Sequence, residues 1–233
     1  DRKGVVILTA AQSRHAKARA ELDALDRGNA ENRRGDAIFH TAEHRVAKAR
    51  RRTENRAFDD AADAVALFAR RRDKERGVSA TFFLLGKEVE QYPEIVKKIH
   101  EGGHLIGTHA YEHVNLSNLT DAAAIEQVDK TNAAIHEIIG VFPEYIRPPF
   151  GCWKPNLDYE TTMIEVLWDV DPKDWATSNS SVIAQRVLGD VEENDIILLH
   201  DASESSVLAA FKIIDELKTQ GYTFVTVEEI LLE

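Results

Sequence analysis

The chain has 233 residues, of which 43% are hydrophobic and 30% are charged, a composition typical of a soluble globular protein. No apolar run approaches the roughly 18 residues that a membrane-spanning helix needs, and the given chain shows no signal peptide. The single cysteine, Cys152, excludes an internal disulfide bond. The chain begins at Asp1 rather than at methionine, so we expect a processed product or an excised fragment.

The net charge of −11 is unevenly distributed along the chain. Residues 1–78 carry +6 (19 Lys+Arg against 13 Asp+Glu), whereas residues 79–233 carry −17 (10 against 27). An acidic body disfavours nucleic acid as a partner, because phosphate contacts need clustered cations. The basic front alternates its cations with acids and alanines, which is typical of a solvated helix face rather than of a nucleic-acid-binding arm.

Short apolar strands alternate with amphipathic helices along most of the chain. Predicted strands cover residues 5–9, 78–85, 104–107, 164–170, 195–200 and 222–227. Predicted helices cover residues 58–76, 92–101, 120–139, 180–190 and 206–220. This alternation predicts a parallel sheet covered by helices, either a barrel or an open sheet, in one domain over residues 1–233.

The alanine- and arginine-rich tract of residues 10–56 follows the first strand. Its helix propensity is high but its apolar stripe is thin, so we predict exposed helices inserted into the domain. The tract contains the sequence HTAEH, in which His40 and His44 lie four residues apart. No strand end or supporting motif accompanies this pair, which favours a solvated helix face over a metal site.

A second pair of histidines, His109 and His113, lies in the sequence GTHAYEHVNL. Four-residue spacing places two imidazoles on one side of a helical turn, where their nitrogens can converge on a cation. Spacing alone does not decide between a metal site and a solvated turn, because many surface helices carry such a pair without binding a metal. The pair follows a predicted strand, and polar residues that follow the strands of a parallel sheet collect at one edge. Other polar residues also lie at or just after the ends of predicted strands, namely Arg147, Asp174 and His200. Their presence at the same edge favours a metal site.

Four motifs occur in a fixed order: HAYEH (109–113), RPPFG (147–151), DPKDW (171–175) and ILLH (197–200). In this order and at these intervals they resemble the polysaccharide deacetylases, carbohydrate esterase family 4 with the NodB homology domain. The resemblance implies a distorted (β/α) barrel and divalent-metal hydrolysis of N-acetyl groups on amino-sugar polymers such as peptidoglycan or chitin. It also implies an extracellular or cell-envelope location.

The chain departs from the family pattern after the first strand. The family has a Thr-Phe-Asp-Asp-Gly-Pro type of sequence there, which supplies the catalytic base and the third metal ligand, whereas this chain continues Ala10-Ala11-Gln12. The sequence AFDDAAD at residues 57–63 offers Asp59 and Asp60 as a displaced acid pair. The alternatives are that both are first-turn carboxylates of the helix at 58–76, or that the tract is foreign to the domain.

The resemblance assigns roles to the remaining motif residues. His109, His113 and Asp60 would bind the metal, most simply zinc, with cobalt or nickel as alternatives. Asp59 would be the base, and His200, partnered by Asp174, the general acid. Arg147 would orient the base, and Trp175, Leu198 and Phe150 would contact the substrate. The family usually has Ser or Thr at the position of Ala110, which removes one hydroxyl near the ligands.

Three functions are compatible with these motifs. The first is N-deacetylation of an amino-sugar polymer. The second is O-acetyl xylan esterase activity, which would use the same constellation. The third is carbohydrate binding by a catalytically impaired pseudoenzyme, which the Ala10-Ala11 sequence supports. The sequence predicts no particular oligomeric state.

Overall fold

The structure is a computed structural model that describes residues 2–9, 78–201 and 203–231. The predicted insertion at 10–56 and the predicted helix at 58–76 lie outside the described residues. The strands are β1 (Arg2–Thr9), β2 (Thr81–Leu84), β3 (Leu105–Thr108), β4 (Tyr145–Ile146), β5 (Ile164–Glu165), β6 (Ile196–His200) and β7 (Tyr222–Phe224). The helices are α1 (Gly86–Gln91), α2 (Pro93–Glu101), α3 (Asp121–Ile139), α4 (Leu157–Glu160), α5 (Ser180–Asp190), α6 (Glu204–Thr219) and α7 (Val227–Leu231).

The strands form one sheet in which every pairing is parallel, in the order β5-β4-β3-β2-β1-β6, with β7 also paired to β1. The segment after β5 closes the sheet, because it changes partner along its length. Its Val166 N–H donates to the Ile146 carbonyl of β4, and the Val170 carbonyl accepts from Leu198 N–H of β6. The closed sheet is a distorted barrel.

The two faces of the strands lie in different apolar clusters. Phe82, Leu84, Ile197 and Leu199 pack with the covering helices in the largest cluster. Phe83, the residue between two of them, instead packs with side chains from β4, the 166–170 segment and α7. Alternation along the strands explains the division, since successive side chains point to opposite faces.

Local capping explains where the helices begin and end. The Thr120 hydroxyl accepts from Ala123 N–H at the start of α3, and Gly140 ends that helix in the left-handed conformation at φ 74°. The Asn179 side chain accepts from two backbone N–H groups at the start of α5. Both helices match their predicted ranges to within a residue. No helix within the described ranges is both long enough and apolar enough to cross a membrane.

Several sequence-based boundaries were wrong. The predicted strand at 164–170 is a strand only at Ile164–Glu165, followed by a single bridge between Val170 and Ile197, because this segment moves from β4 to β6. The predicted strand at 222–227 ends at Phe224, and Val227 begins α7. The short elements α1 and β4 were not predicted at all.

Candidate active site

The candidate site lies at the carboxyl ends of the parallel strands. His109 directly follows β3, Arg147 directly follows β4, and His200 is the last residue of β6. Register places these strand ends side by side, since Thr108 pairs with Ile146 and Thr9 pairs with His200. The barrel therefore gathers at one end the side chains that the motifs predicted there.

His109 is buried, and its ring is held through one nitrogen. Its Nδ1 donates to the Arg147 backbone carbonyl over 2.6 Å, which leaves Nε2 with its lone pair. Burial, reinforced by the neighbouring His113, lowers the pKa of His109 to about 3. The imidazole is therefore neutral at physiological pH, which is the state that coordinates a metal.

His113 faces His109, and the centroids of the two rings lie 5.1 Å apart at an interplanar angle of 58°. Burial is the main cause of a lowered pKa at His113, with the charge of His200 as the second. The predicted helical turn between the two histidines was wrong. Residues 109–113 form a loop in which Ala110 has φ 65°, and this loop brings the rings together.

Arg147 is almost fully buried, and its backbone carbonyl contacts His109. Its Nε donates to the Val166 carbonyl over 3.1 Å, and its Nη2 donates to the Leu167 carbonyl over 2.6 Å. Among the described residues its buried Nη1 has no hydrogen-bond partner. Burial lowers the pKa of Arg147 to about 9, so the guanidinium remains charged at neutral pH. A buried cation with an unused donor suits a carboxylate partner.

His200 and Asp174 form a buried pair. One carboxylate oxygen of Asp174 accepts from His200 Nδ1 over 2.7 Å, and the other accepts from His200 backbone N–H over 2.7 Å. The pairing fixes the tautomer, because a proton held on Nδ1 leaves Nε2 for other partners. Asp174 is presented by a short 3-10 helix that begins after Lys173, a residue with φ 52°.

The predicted substrate contacts differ in exposure. The ring of Phe150 lies edge-on to His113 at 4.6 Å and is 59% exposed, and Trp175 is 63% exposed. Both offer an apolar face to a ligand. Leu198 is buried, two residues before His200 and hence on the same face of β6. Asp59 and Asp60 lie outside the described residues.

The donor set can be tested against a metal. Within the ranges that the structure describes, no group of three or more His, Cys, Asp or Glu side chains converges as a metal site. The two neutral imidazoles of His109 and His113 supply nitrogen donors that suit zinc, cobalt or nickel. They fit a metal that takes its remaining protein ligand from outside the described residues.

Sequence reasoning missed the two carbonyls that hold Arg147. They belong to Val166 and Leu167, and a backbone acceptor has no signature in the pattern of side chains. It also missed the contact of Trp168 with the RPPFG loop, where a Cβ at Gly151 would lie 3.1 Å from the indole ring. Phe150 and Gly151 both have positive φ there, a local geometry that the letters of the RPPFG motif do not reveal.

Comparisons with known proteins agree with this geometry. Residues 48–166, just over half of the chain, match the family described as Polysaccharide deacetylase. The chain is 34% identical over 157 residues to the peptidoglycan-N-acetylglucosamine deacetylase PgdA of Listeria monocytogenes, a match that covers 67% of this chain and 34% of that protein. The chain thus spans about a third of the length of that curated relative.

Solved structures give the same family. The peptidoglycan deacetylase PdaC of Bacillus subtilis is 26% identical, with a TM-score of 0.69 over 98% of this chain and 89% of that chain. A mutant of the Bacillus anthracis CE4 family pseudoenzyme BA3943, with restored enzymatic activity, is 28% identical, with a TM-score of 0.67 over 74% and 62%. These likenesses confirm the predicted fold class. Deacetylases of this family are generally metal-dependent. The chain belongs to the polysaccharide deacetylase family.

Proposed function

We propose that this chain is a metal-dependent hydrolase that removes N-acetyl groups from amino-sugar polymers, with peptidoglycan as the first candidate and chitin-like polymers as the second. One observation carries the proposal: two neutral imidazoles face each other beside a buried histidine–aspartate pair at the carboxyl end of the barrel. The names of the relatives support peptidoglycan, since PgdA and PdaC are both peptidoglycan deacetylases.

His109 and His113 would hold the metal through ring nitrogens, with Asp60 as the third ligand and zinc as the expected ion. A divalent cation supplies Lewis acidity there, polarising the acetamide carbonyl and favouring deprotonation of water. The Arg147 carbonyl keeps the His109 ring in place, with its Nδ1 proton engaged and its Nε2 turned to the site. His109 then needs no reorientation before it coordinates.

Arg147 would receive the base carboxylate, for which Asp59 is the candidate. The unused Nη1 donor is buried, and a buried cation is costly unless it is paired. A carboxylate at Nη1 would be fixed in orientation as well as stabilised in its charged form. It would then be placed to accept a proton from water.

His200 would protonate the leaving amine from Nε2. Asp174 occupies Nδ1, so the proton on the other nitrogen is the one available to the substrate when the ring is charged. The carboxylate also lies hydrogen-bonded to the ring that must be charged before it donates the proton. Collapse of the tetrahedral adduct then breaks the C–N bond as the nitrogen receives this proton.

Phe150 and Trp175 would line the sugar-binding groove. Both expose aromatic faces, which suit the apolar face of a pyranose ring. Leu198, on the same strand face as His200, would form the wall against the acetyl methyl group. A polymer of this kind places the protein outside the cell or in the cell envelope.

A carbohydrate-binding pseudoenzyme is the second candidate, and the sequence that follows β1 favours it. Thr9 is followed by Ala10-Ala11-Gln12, without the acid pair that the family has there. The solved relative BA3943 is described as a CE4 family pseudoenzyme, so this family includes such proteins. Sugar binding without acetate release would identify this function.

Acetate release from N-acetylglucosamine oligomers, measured with added zinc, tests the proposal. We expect activity in the full chain, its loss in Asp60→Ala and Asp59→Ala, and its retention in the matched control Asp63→Ala, which lies in the same AFDDAAD sequence. Full activity in Asp60→Ala would show that Asp60 is not the third metal ligand. An unmodified chain that binds the oligomers but releases no acetate would show that the protein is a carbohydrate-binding pseudoenzyme.

A further inference from the structure

The loop between the two histidines is held from outside by α1 and α3. The Ala110 carbonyl accepts from Gly86 N–H over 3.0 Å, and the Tyr111 carbonyl accepts from Lys87 N–H over 3.1 Å. The next residue, Glu112, donates its N–H to the Gln127 side chain of α3 over 2.8 Å. Consecutive residues of the loop are therefore tied to the two helices.

Tyr111 adds a side-chain anchor at the middle of the loop. Its hydroxyl donates to Glu90 Oε2 of α1 over 2.8 Å, and Lys130 Nζ of α3 lies 3.5 Å from the centroid of its ring. The ring packs so closely on α1 that a Cβ at Gly86 would lie 2.5 Å from Tyr111 Cδ2. We call this set of contacts, made by Tyr111, Gly86, Glu90 and Lys130, the tyrosine clamp.

The loop needs such contacts because its backbone is strained. Ala110 is fully buried at φ 65°, a conformation that is unfavourable for a non-glycine residue because its Cβ approaches the following carbonyl oxygen. Ala110 also has no hydroxyl with which to brace the loop internally. Residues 110–112 connect His109, which bonds to Leu84 and Arg147, directly to His113, so the path of this loop sets where the His113 backbone lies.

We propose that Tyr111 is a positioning residue for the metal site, and that the tyrosine clamp holds His113 at coordinating distance from a cation shared with His109. This inference rests on the proposed function. Tyr111 lies between the ligands and touches neither the reacting atoms nor the metal. Its effect is on affinity, because a loop free to relax at Ala110 must be ordered again each time a metal binds.

Cobalt affinity of the full chain, measured by titration of the visible absorption bands, tests the inference. We expect Tyr111→Ala to weaken cobalt binding by about 10–100-fold and to change the absorption spectrum, as changes behind metal ligands do. Tyr111→Phe keeps the ring and removes the hydroxyl with its exposed hydrogen bond to Glu90, so we expect a change of about two- to five-fold. Glu90→Ala should give the same small change.

A double-mutant cycle separates the contribution of the Tyr111–Glu90 hydrogen bond to cobalt affinity from a general loss of stability. Because Tyr111→Phe and Glu90→Ala remove the same bond, the double variant should bind cobalt no more weakly than either single variant. Glu94→Ala, a matched acid on α2 that pairs with Lys97, should leave the affinity unchanged. Val187→Ala, a core change in α5, should lower the free energy of unfolding while leaving cobalt affinity unchanged.

The outcomes distinguish the two proposals. Equal cobalt affinity and equal spectra in the wild-type chain and Tyr111→Ala overturn the clamp while the metal site survives. Weakened binding in Val187→Ala as great as in Tyr111→Ala also overturns it, since the effect would then follow global stability. A wild-type chain that binds no cobalt overturns the proposed function and the clamp with it.

Discussion

Replacing Asp174 with asparagine changes the chemistry of His200 while leaving its surroundings nearly the same size. The carboxylate now accepts from two N–H groups of His200, one on the backbone and one at Nδ1. An asparagine side chain has only one oxygen, which the backbone N–H will occupy. Its NH2 group then faces Nδ1, so the ring must carry its proton on Nε2 and cannot readily accept a second.

The expected loss follows from the energy of the pair. A hydrogen bond to a charged group contributes about 1.5–3 kcal/mol, and two unit charges 4 Å apart interact by about 4 kcal/mol at an effective dielectric constant of 20. Since each 1.36 kcal/mol is a factor of ten in rate, kcat should fall about 100-fold, between limits of about ten and a thousand. KM and zinc affinity should change little, because Asp174 touches neither the groove nor the metal.

The assay is steady-state acetate release from N-acetylglucosamine oligomers by the zinc-loaded chain. Asp171→Asn is the matched control, because Asp171 lies in the same loop and its hydrogen bond from Lys173 N–H needs only an acceptor oxygen. We expect that control to retain kcat within about two-fold. A kcat for Asp174→Asn within two-fold of wild type would refute the role of the pair.

Three further predictions concern neighbouring residues. In metal-free protein, the lowered pKa of His109 means that the unfolded chain binds a proton below about pH 6.5 that the folded chain refuses until about pH 3. The free energy of unfolding should therefore fall by about 2 kcal/mol between pH 6.5 and pH 4.5, and His109→Gln should remove that pH-dependent component. Urea unfolding at several pH values measures this, and an equal pH dependence of the free energy of unfolding in both proteins would contradict it. Arg147→Lys cannot reach both carbonyls and should lower the free energy of unfolding by about 1.5–3 kcal/mol, and a change below about 0.5 kcal/mol would show that these bonds stabilise little. Phe150→Ala and Trp175→Ala each remove an aromatic face whose stacking contributes about 0.5–1.5 kcal/mol, so KM should rise about two- to ten-fold for each, and an unchanged KM would show that the sugar does not stack on that ring.

Much of the site could be predicted from strand ends. Buried strands that stop at His109 and His200 place polar side chains at the carboxyl edge of a parallel sheet, whatever the details of the helices. The Asp174–His200 pair was also predicted, and the structure gives it two bonds of 2.7 Å.

The orientation of the histidines could not be predicted. Four-residue spacing indicates a helical turn, whereas the approach of the two rings depends on the left-handed backbone of Ala110. An alanine in the sequence does not indicate that conformation, because non-glycine residues rarely adopt it. His109 is oriented by a backbone carbonyl 38 residues away, which depends on the register of β3 with β4. The apolar pattern of residues 164–170 predicts one continuous strand, because it does not show that the segment pairs first with β4 and then with β6.

Titrating metal-stripped protein with zinc while recording acetate release shows whether a cation held by His109 and His113 is needed for hydrolysis. We expect activity to rise from zero to a plateau at one zinc per chain, and His113→Ala to stay inactive at the same zinc concentrations. Acetate release at the full rate from the metal-stripped chain, or an unchanged plateau in His113→Ala, would contradict it.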